Sequence, residues 1–202
     1  MADQAMEARK NEVMNKYSNP WKTVSSKNIY TNPWLSLRED QVIRPDGQPG
    51  IYSVVETRIA TGVIALTPEM DVYLVGQYRY PTECYSWEIV EGGTDDEETA
   101  LAAIKRELQE EAGLLAAKWH NLGGKIHISN CISAEVARLF VATDLSQTQS
   151  APDGTEVLEV RVEPFEHCLQ MVERGEITDA MSIIALLRLE QEVRRGGWEQ
   201  FF

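Results

Sequence analysis

The alternation of apolar and polar positions divides the chain into strand-like and helix-like tracts. "LSLREDQVIR" and "IYSVVETR" are rich in β-formers and are joined by "PDGQPG", which reads as a hairpin turn. "TGVIALT" and "DVYLVGQYR" follow, split by the turn signal "PEMD", and "YSWEIVEGG" is a short strand running into a glycine-rich turn. The clearest helix spans about residues 96–112, where Leu101, Ile104 and Leu108 form an i, i+3, i+7 stripe suited to a core. Thr94-x-x-Glu97 and Asp95-x-x-Glu98 both fit a capping box, and Gly113 is a natural C′ residue. Beyond it, "VARLFVATDL" and "VLEVRVEP" read as strands separated by "SQTQSAPDGTE", and "EPFEHCLQMVERGEI" and "DAMSIIALLRLEQEVRR" read as helices. Asn-Pro breaks in "SNPW" and "TNPW" punctuate the entry, and residues 1–17 have the composition of a short helix or a frayed arm. Mixed strands, one helix, more strands and two helices predict an α+β fold rather than a doubly wound sheet.

Composition narrows the function. The 202 residues have room for one large domain with short terminal additions. A net charge of -13 argues against a broad nucleic-acid or anionic-membrane surface, which would be repelled, but leaves room for a small anion bridged by a cation. No apolar run is long enough for a signal peptide or a membrane span, so a soluble cytoplasmic protein is expected. Cys84, Cys131 and Cys168 are odd in number, widely spaced and without a CxxC pair, which predicts reduced thiols rather than a disulfide framework or zinc site. His120, His127 and His167 have no mutual spacing of a ligand set.

The predicted helix ends in Arg106-Glu107-Leu108-Gln109-Glu110-Glu111. Acids at i, i+3 and i+4 repel one another, and negative charge at a helix C-terminus opposes the macrodipole. Glu107, Glu110 and Glu111 fall within an arc of roughly 100°, beside the apolar stripe. Ala103 and Ala100 lie one and two turns earlier on that face and leave room for a ligand. Three such carboxylates offer hard oxygen ligands suited to Mg²⁺ or Mn²⁺, and Mg²⁺ shares its shell readily with substrate phosphates. Solvated surface glutamates are the alternative.

Gly92, Glu98, Arg106, Glu107, Leu108, Glu110, Glu111, Gly113 and Leu114 match the Nudix box, G-x5-E-x7-R-E-U-x-E-E-x-G-U, at every specified position. The chain thus resembles the Nudix hydrolases. The resemblance implies an α/β/α sandwich with a mixed central sheet and a loop–helix–loop metal site. It also implies that Glu107, Glu110 and Glu111 hold divalent ions, Mg²⁺ or Mn²⁺, with the backbone carbonyl of Glu91 as a further ligand. Arg106 and Glu98 would orient the loop and the carboxylates.

Over roughly residues 30–190 the chain resembles the ADP-ribose and nucleoside diphosphate sugar pyrophosphatase branch of that family. "VGQYRYP" and "WEIVEGG" resemble its Q-[YF]-R-x-P and W-E-x-x-x-G elements, with Val90 where proline is commoner. Arg79 would then contact substrate phosphate or ribose; an ion pair is the alternative. "NPWLSLRED" and "IYSVVETR" resemble N-terminal strands that exchange between protomers, which implies a homodimer. Trp34 and Tyr52 would sandwich the nucleobase, unless they pack in a dimer interface or core. "HISNCISAEVARLFVATDL" resembles a segment often reading S-P-G-x-S-x-E; Asn130 and Cys131 depart from it, while Ser129, Ser133 and Glu135 remain. In the loop "SAPDGTEVLEV", Glu156 matches the branch's catalytic glutamate, with Asp153 as a nearby substitute.

The expected organisation is an N-terminal extension with β-strands over residues 1–60, for dimerisation and base contacts, and a catalytic domain over residues 61–202. The expected reaction is metal-dependent hydrolysis of the pyrophosphate bond of ADP-ribose or another nucleoside diphosphate sugar. Nucleoside triphosphates or dinucleoside polyphosphates are the alternative substrates, and a non-catalytic ADP-ribose sensor is the alternative of another class. The tail "GGWEQFF" carries three aromatics suited to docking on the body or a partner.

Overall fold

The computed structural model describes residues 18–151, 157–197 and 201–202. The chain divides into two units, residues 1–56 and 57–202. The tract 1–17 lies outside the described residues.

In the N-terminal unit, β1 (Lys22–Thr31), β2 (Leu35–Ile43) and β3 (Pro49–Thr57) form a sheet in the order β1-β2-β3. The second Asn-Pro break, "TNPW", is a turn: Asn32 Oδ1 accepts from the N–H groups of Trp34 at 2.8 Å and Leu35 at 2.9 Å, reversing the chain between β1 and β2. The "PDGQPG" hairpin turn forms where the sequence predicts it, with Gly47 at φ 81°. Strand β1 was not foreseen. Its sequence, "KTVSSKNIYT", is polar and all ten residues are exposed, so cross-strand pairing with β2 rather than burial makes it a strand.

The second unit contains β4 (Ala60–Ala65), β5 (Asp71–Arg79), β6 (Cys84–Glu88), β7 (Val90–Gly93), helix α1 (Ala100–Ala112), β8 (Leu114–Asn121), β9 (Ile126–His127), β10 (Val136–Gln147), β11 (Glu159–Pro164), α2 (Phe165–Glu173) and α3 (Ala180–Arg194). The central sheet runs β7-β4-β10-β8, with β9 also on β10. Strand β10 is parallel to β4 and antiparallel to β8, so the sheet is mixed, as expected of this α+β chain. A second, antiparallel sheet runs β11-β5-β6.

Alternation along β4 and β10 decides where the helices pack. Ile64, Leu66, Leu139 and Val141 join a core with Phe165 and Met171 of α2 and Leu186 and Leu189 of α3. Val63, Ala65, Phe140 and Ala142 join another with Ile104 and Leu108 of α1. Successive residues of a strand point to opposite faces, so α1 lies on one face of the central sheet and α2 and α3 on the other. This is the α/β/α sandwich. The tail contributes Phe201, which is buried in the α2–α3 core, stacks edge-on to His120 at 5.2 Å and accepts a hydrogen bond from Thr143 through its carbonyl.

Two expectations for α1 need correction. The helix begins at Ala100, not near residue 96, because Glu97 adopts a left-handed φ of 65° and Thr99, not Thr94 or Asp95, caps it. The Asp95–Glu98 pair still forms, as a turn ahead of the helix, with Glu98 Oε2 accepting from the Asp95 N–H at 2.9 Å. Second, the buried face is Ala103, Ile104, Leu108 and Glu111, while Leu101 is 37 % exposed. The helix is thus rolled by roughly 50° toward its carboxylates relative to the predicted stripe. Gly113 closes it as predicted, at φ 63° with its N–H on the carbonyls of Gln109 and Leu108.

Burial pushes the Cys168 thiol up to about 12, and none of the three cysteines is in a disulfide. Among the described residues no helix is long and apolar enough to cross a membrane. Leu108 is fully buried between α1 and the sheet. Leu108→Ala is expected to cost about 2–5 kcal/mol in urea unfolding, the usual range for a buried leucine.

Candidate active site

Strand β7 is the edge of the central sheet beneath α1. It pairs with β4 through Gly62↔Glu91 and Thr61↔Gly92, and the Thr61 hydroxyl donates to the Gly92 carbonyl at 2.9 Å. Helix α1 approaches so closely that a Cβ on Gly92 would stand 2.2 Å from Glu107 Cγ and Cδ. Gly92 does not have a positive φ, so glycine is required here for space, not for backbone conformation.

Arg106 ties the loop to the helix. Its Nε and Nη2 donate to Glu98 at 3.4 and 3.1 Å, Nη2 also donates to the Gly93 carbonyl at 3.1 Å, and Nη1 donates to Glu107 at 2.8 Å and Glu110 at 2.9 Å. The Arg106 hydrogen bond, with help from the Asp95 N–H, holds the Glu98 carboxyl below its ordinary range. Arg58 anchors the same loop through Asp95 at 2.7 Å.

The roll of α1 separates the three predicted ligands. The Glu107 and Glu111 side chains turn inward, while that of Glu110 is partly open to solvent. Glu111 Oε2 faces the Glu91 N–H at 3.4 Å. Among the described residues no three Asp, Glu, His or Cys side chains already stand as a ligand set, because Glu107 and Glu110 are turned onto Arg106. The donor chemistry nonetheless fits a hard divalent cation: the Glu107 and Glu110 carboxylates and the Gly93 carbonyl converge on the Arg106 guanidinium, and Gly92 provides the gap for Glu107.

Beneath this layer lies a second group of acids. Glu88, Glu91 and Glu111 are all buried. Arg79 grips Glu88 through Nε at 3.0 and 3.1 Å and through a shorter contact from Nη2, so in this structure its fork is turned to a carboxylate of its own chain. The Glu88 hydrogen bond holds the Arg79 guanidinium above its already high range. Burial, reinforced by the neighbouring Asp179 carboxylate, pushes the Glu91 carboxyl well above the ordinary range. Glu91 Oε1 also accepts from the Ser182 hydroxyl at 3.0 Å.

Glu88, Asp179 and Ser182 were missed as site residues. Glu88 carried a signal, since it sits in the quoted "WEIVEGG" segment, whereas Asp179-x-x-Ser182 reads along the chain only as a helix start. Trp34 and Tyr52 belong to the N-terminal unit: Trp34 is 75 % exposed, and Tyr52 packs edge-on to Trp21 at 5.3 Å. Glu156 and Asp153 lie outside the described residues. Ser129 closes a turn whose carbonyl accepts from Ser133 at 2.8 Å, leaving Cys131 exposed.

A methyl at Gly92 would meet the flexible end of Glu107 rather than backbone. Gly92→Ala is therefore expected to leave the unfolding midpoint nearly unchanged while weakening Mn²⁺ binding about tenfold or more, read by calorimetric titration.

Comparisons with known proteins agree with this geometry. Residues 21–55 match the profile of the "Nucleoside diphosphate sugar hydrolase N-terminal domain", and residues 56–181 match that of the "NUDIX domain". The ADP-ribose pyrophosphatase of Bacillus subtilis (strain 168) is 30 % identical over 84 % of this chain and 92 % of its own length. The methanol dehydrogenase activator of Bacillus methanolicus is 29 % identical over the same shares of the two chains. A solved structure described as an ADP compounds hydrolase superposes with a TM-score of 0.78 at 20 % identity, covering 88 % of this chain and 96 % of the other, and so shares its fold. The chain belongs to the NUDIX family.

Proposed function

We propose that this chain hydrolyses the pyrophosphate bond of ADP-ribose, or of another nucleoside diphosphate sugar, to a nucleoside monophosphate and a sugar phosphate. The observation that carries the reading is the network in which Arg106 holds Glu98, Glu107 and Glu110 together, with Glu111 facing the Glu91 N–H of β7. Relatives named ADP-ribose pyrophosphatase, matched over most of the chain, support the choice of substrate.

In this reading Glu107, Glu110 and Glu111, with the Glu91 carbonyl, would hold Mg²⁺ or Mn²⁺. The bound ion supplies neutralisation of the diphosphate and a more acidic water. Arg106 and Glu98 keep the 94–99 loop closed over the helix and hold Glu107 and Glu110 in place. Arg79, if it releases Glu88, offers a planar fork to phosphate oxygens. Glu156 takes a proton from the attacking water as general base.

The N-terminal residues 1–60 are proposed to form a dimer surface and to supply Trp34 and Tyr52 to the base, with residues 61–202 as the catalytic domain. Exposed Val24, Ile29, Tyr30, Trp34 and Ile51 support a second copy as their cover. Three cysteines outside any disulfide fit a reducing cytoplasm.

The test is product analysis with ADP-ribose, ADP-glucose, GDP-mannose, UDP-glucose, a dinucleoside polyphosphate and the nucleoside triphosphates, in Mg²⁺ and in chelator. Monophosphate plus sugar phosphate, lost in chelator and lost in Glu111→Gln with the fold intact, is the expected result. Turnover of triphosphates or polyphosphates alone would overturn the substrate class, and near-wild-type activity in Glu111→Gln would sink the metal assignment.

A further inference from the structure

The chain changes sheets at a single residue. Strand β6 pairs with β5 in the outer sheet, β7 pairs with β4 in the central sheet, and Ile89 is the residue between them. At such a crossing the backbone N–H leaves one ladder before it can join the other, and a buried N–H without a partner is costly. Ile89 is fully buried, and its N–H donates instead to the Ser182 hydroxyl at 3.0 Å.

That hydroxyl has one proton to give, and it gives it to Glu91 Oε1 at 3.0 Å. Ser182 is itself completely buried and fixed from behind, its N–H bound to the Asp179 carboxylate at 2.7 Å as the cap of α3. One side chain of α3 thus holds both ends of the Ile89-Val90-Glu91 step. The same step carries the Glu91 N–H that faces Glu111, and it leads directly into Gly92 beneath Glu107.

We propose that Ser182 is a positioning residue for the divalent-ion site, setting the placement of β7 against α1 through its paired hydrogen bonds to Ile89 and Glu91. The inference rests on the reading that Glu107, Glu110 and Glu111 hold the ion, but not on the identity of the substrate. Ser182 lies just past the segment matched by the family profile, and its hydrogen bonds go to Ile89, Glu91 and Asp179, none of which is a box residue.

The experiment is calorimetric Mn²⁺ titration of the full chain without substrate, paired with Mn²⁺-dependent turnover of ADP-ribose. Ser182→Ala removes both hydrogen bonds, and Ser182→Cys keeps the packing while weakening them. Leu186→Val, in the same helix and equally buried, is the control for simple loosening of α3. Loss of a group that orients metal ligands typically weakens metal affinity about 10–100-fold. The expected pattern is that loss in Ser182→Ala, a smaller one in Ser182→Cys, and affinity within about twofold of wild type in Leu186→Val. The Mn²⁺ concentration for half-maximal turnover should rise in parallel, with the KM for ADP-ribose little changed.

Unchanged Mn²⁺ affinity in both Ser182 variants overturns the proposal, as does an equal loss in Leu186→Val. If the alanine variant does not fold, the cysteine variant decides. A wild type that binds Mn²⁺ but leaves ADP-ribose intact refutes the substrate reading alone, and one that binds no Mn²⁺ refutes both.

Discussion

The guanidinium of Arg106 meets Glu98, Glu107, Glu110 and the carbonyl oxygen of Gly93 together, and the shape of the β7–α1 junction follows from that planar fork. Five donors in fixed directions can bind a loop, a strand carbonyl and two turns of a helix, which an ammonium group cannot do. Glutamates three and four residues apart would otherwise repel one another along α1. With Arg106 between them, Glu107 is held over Gly92, and the inward roll of the helix is compatible with its charges. Gly92 and Arg106 are therefore two parts of one device: the missing side chain admits the carboxylate and the cation retains it.

Behind that junction the protein buries three glutamates, Glu88, Glu91 and Glu111. Buried carboxylates are costly unless they are paired, hydrogen-bonded or protonated. Each finds a different solution. Glu88 has Arg79. Glu91 has Ser182 and is driven toward its neutral form by burial and by Asp179. Glu111 accepts from the Glu91 backbone N–H across a long contact of 3.4 Å. A scaffold selected for stability alone would have little use for this arrangement. A site that must attract a divalent cation, and through it a polyanion, in a chain of net charge -13 has a clear one.

Much of this was legible along the chain because it is local. The box residues, Gly113 as helix stop and the strands of β4, β5 and β10 all follow from spacing within a few residues. What was not legible depends on distant partners. Strand β1 is polar and exposed, so only its pairing with β2 defines it. Strand β8, "LLAAKWHN", is likewise set by its ladder to β10. The true buried face of α1 was missed because Leu101 looks like a better core residue than Ala103. The close approach of α1 to β7 favours the smaller side chain. Ser182 was invisible for the same reason: it acts on residues more than ninety positions away. Trp34 and Tyr52 sit in a separate unit, and Glu156 lies outside the described residues, so their roles rest on the resemblance and on the tests above.

The central claim is that the crowded carboxylates of α1 are held in place to receive a divalent ion. The most direct measurement is thermal unfolding in chelator and across an Mn²⁺ series. A ligand that binds only the folded state stabilises it by about 2.7 kcal/mol at a concentration 100 times its dissociation constant. The account predicts a midpoint that climbs with Mn²⁺ in the wild type and stays flat in Glu107→Gln. A wild-type midpoint that is the same in chelator and in saturating Mn²⁺ would contradict it.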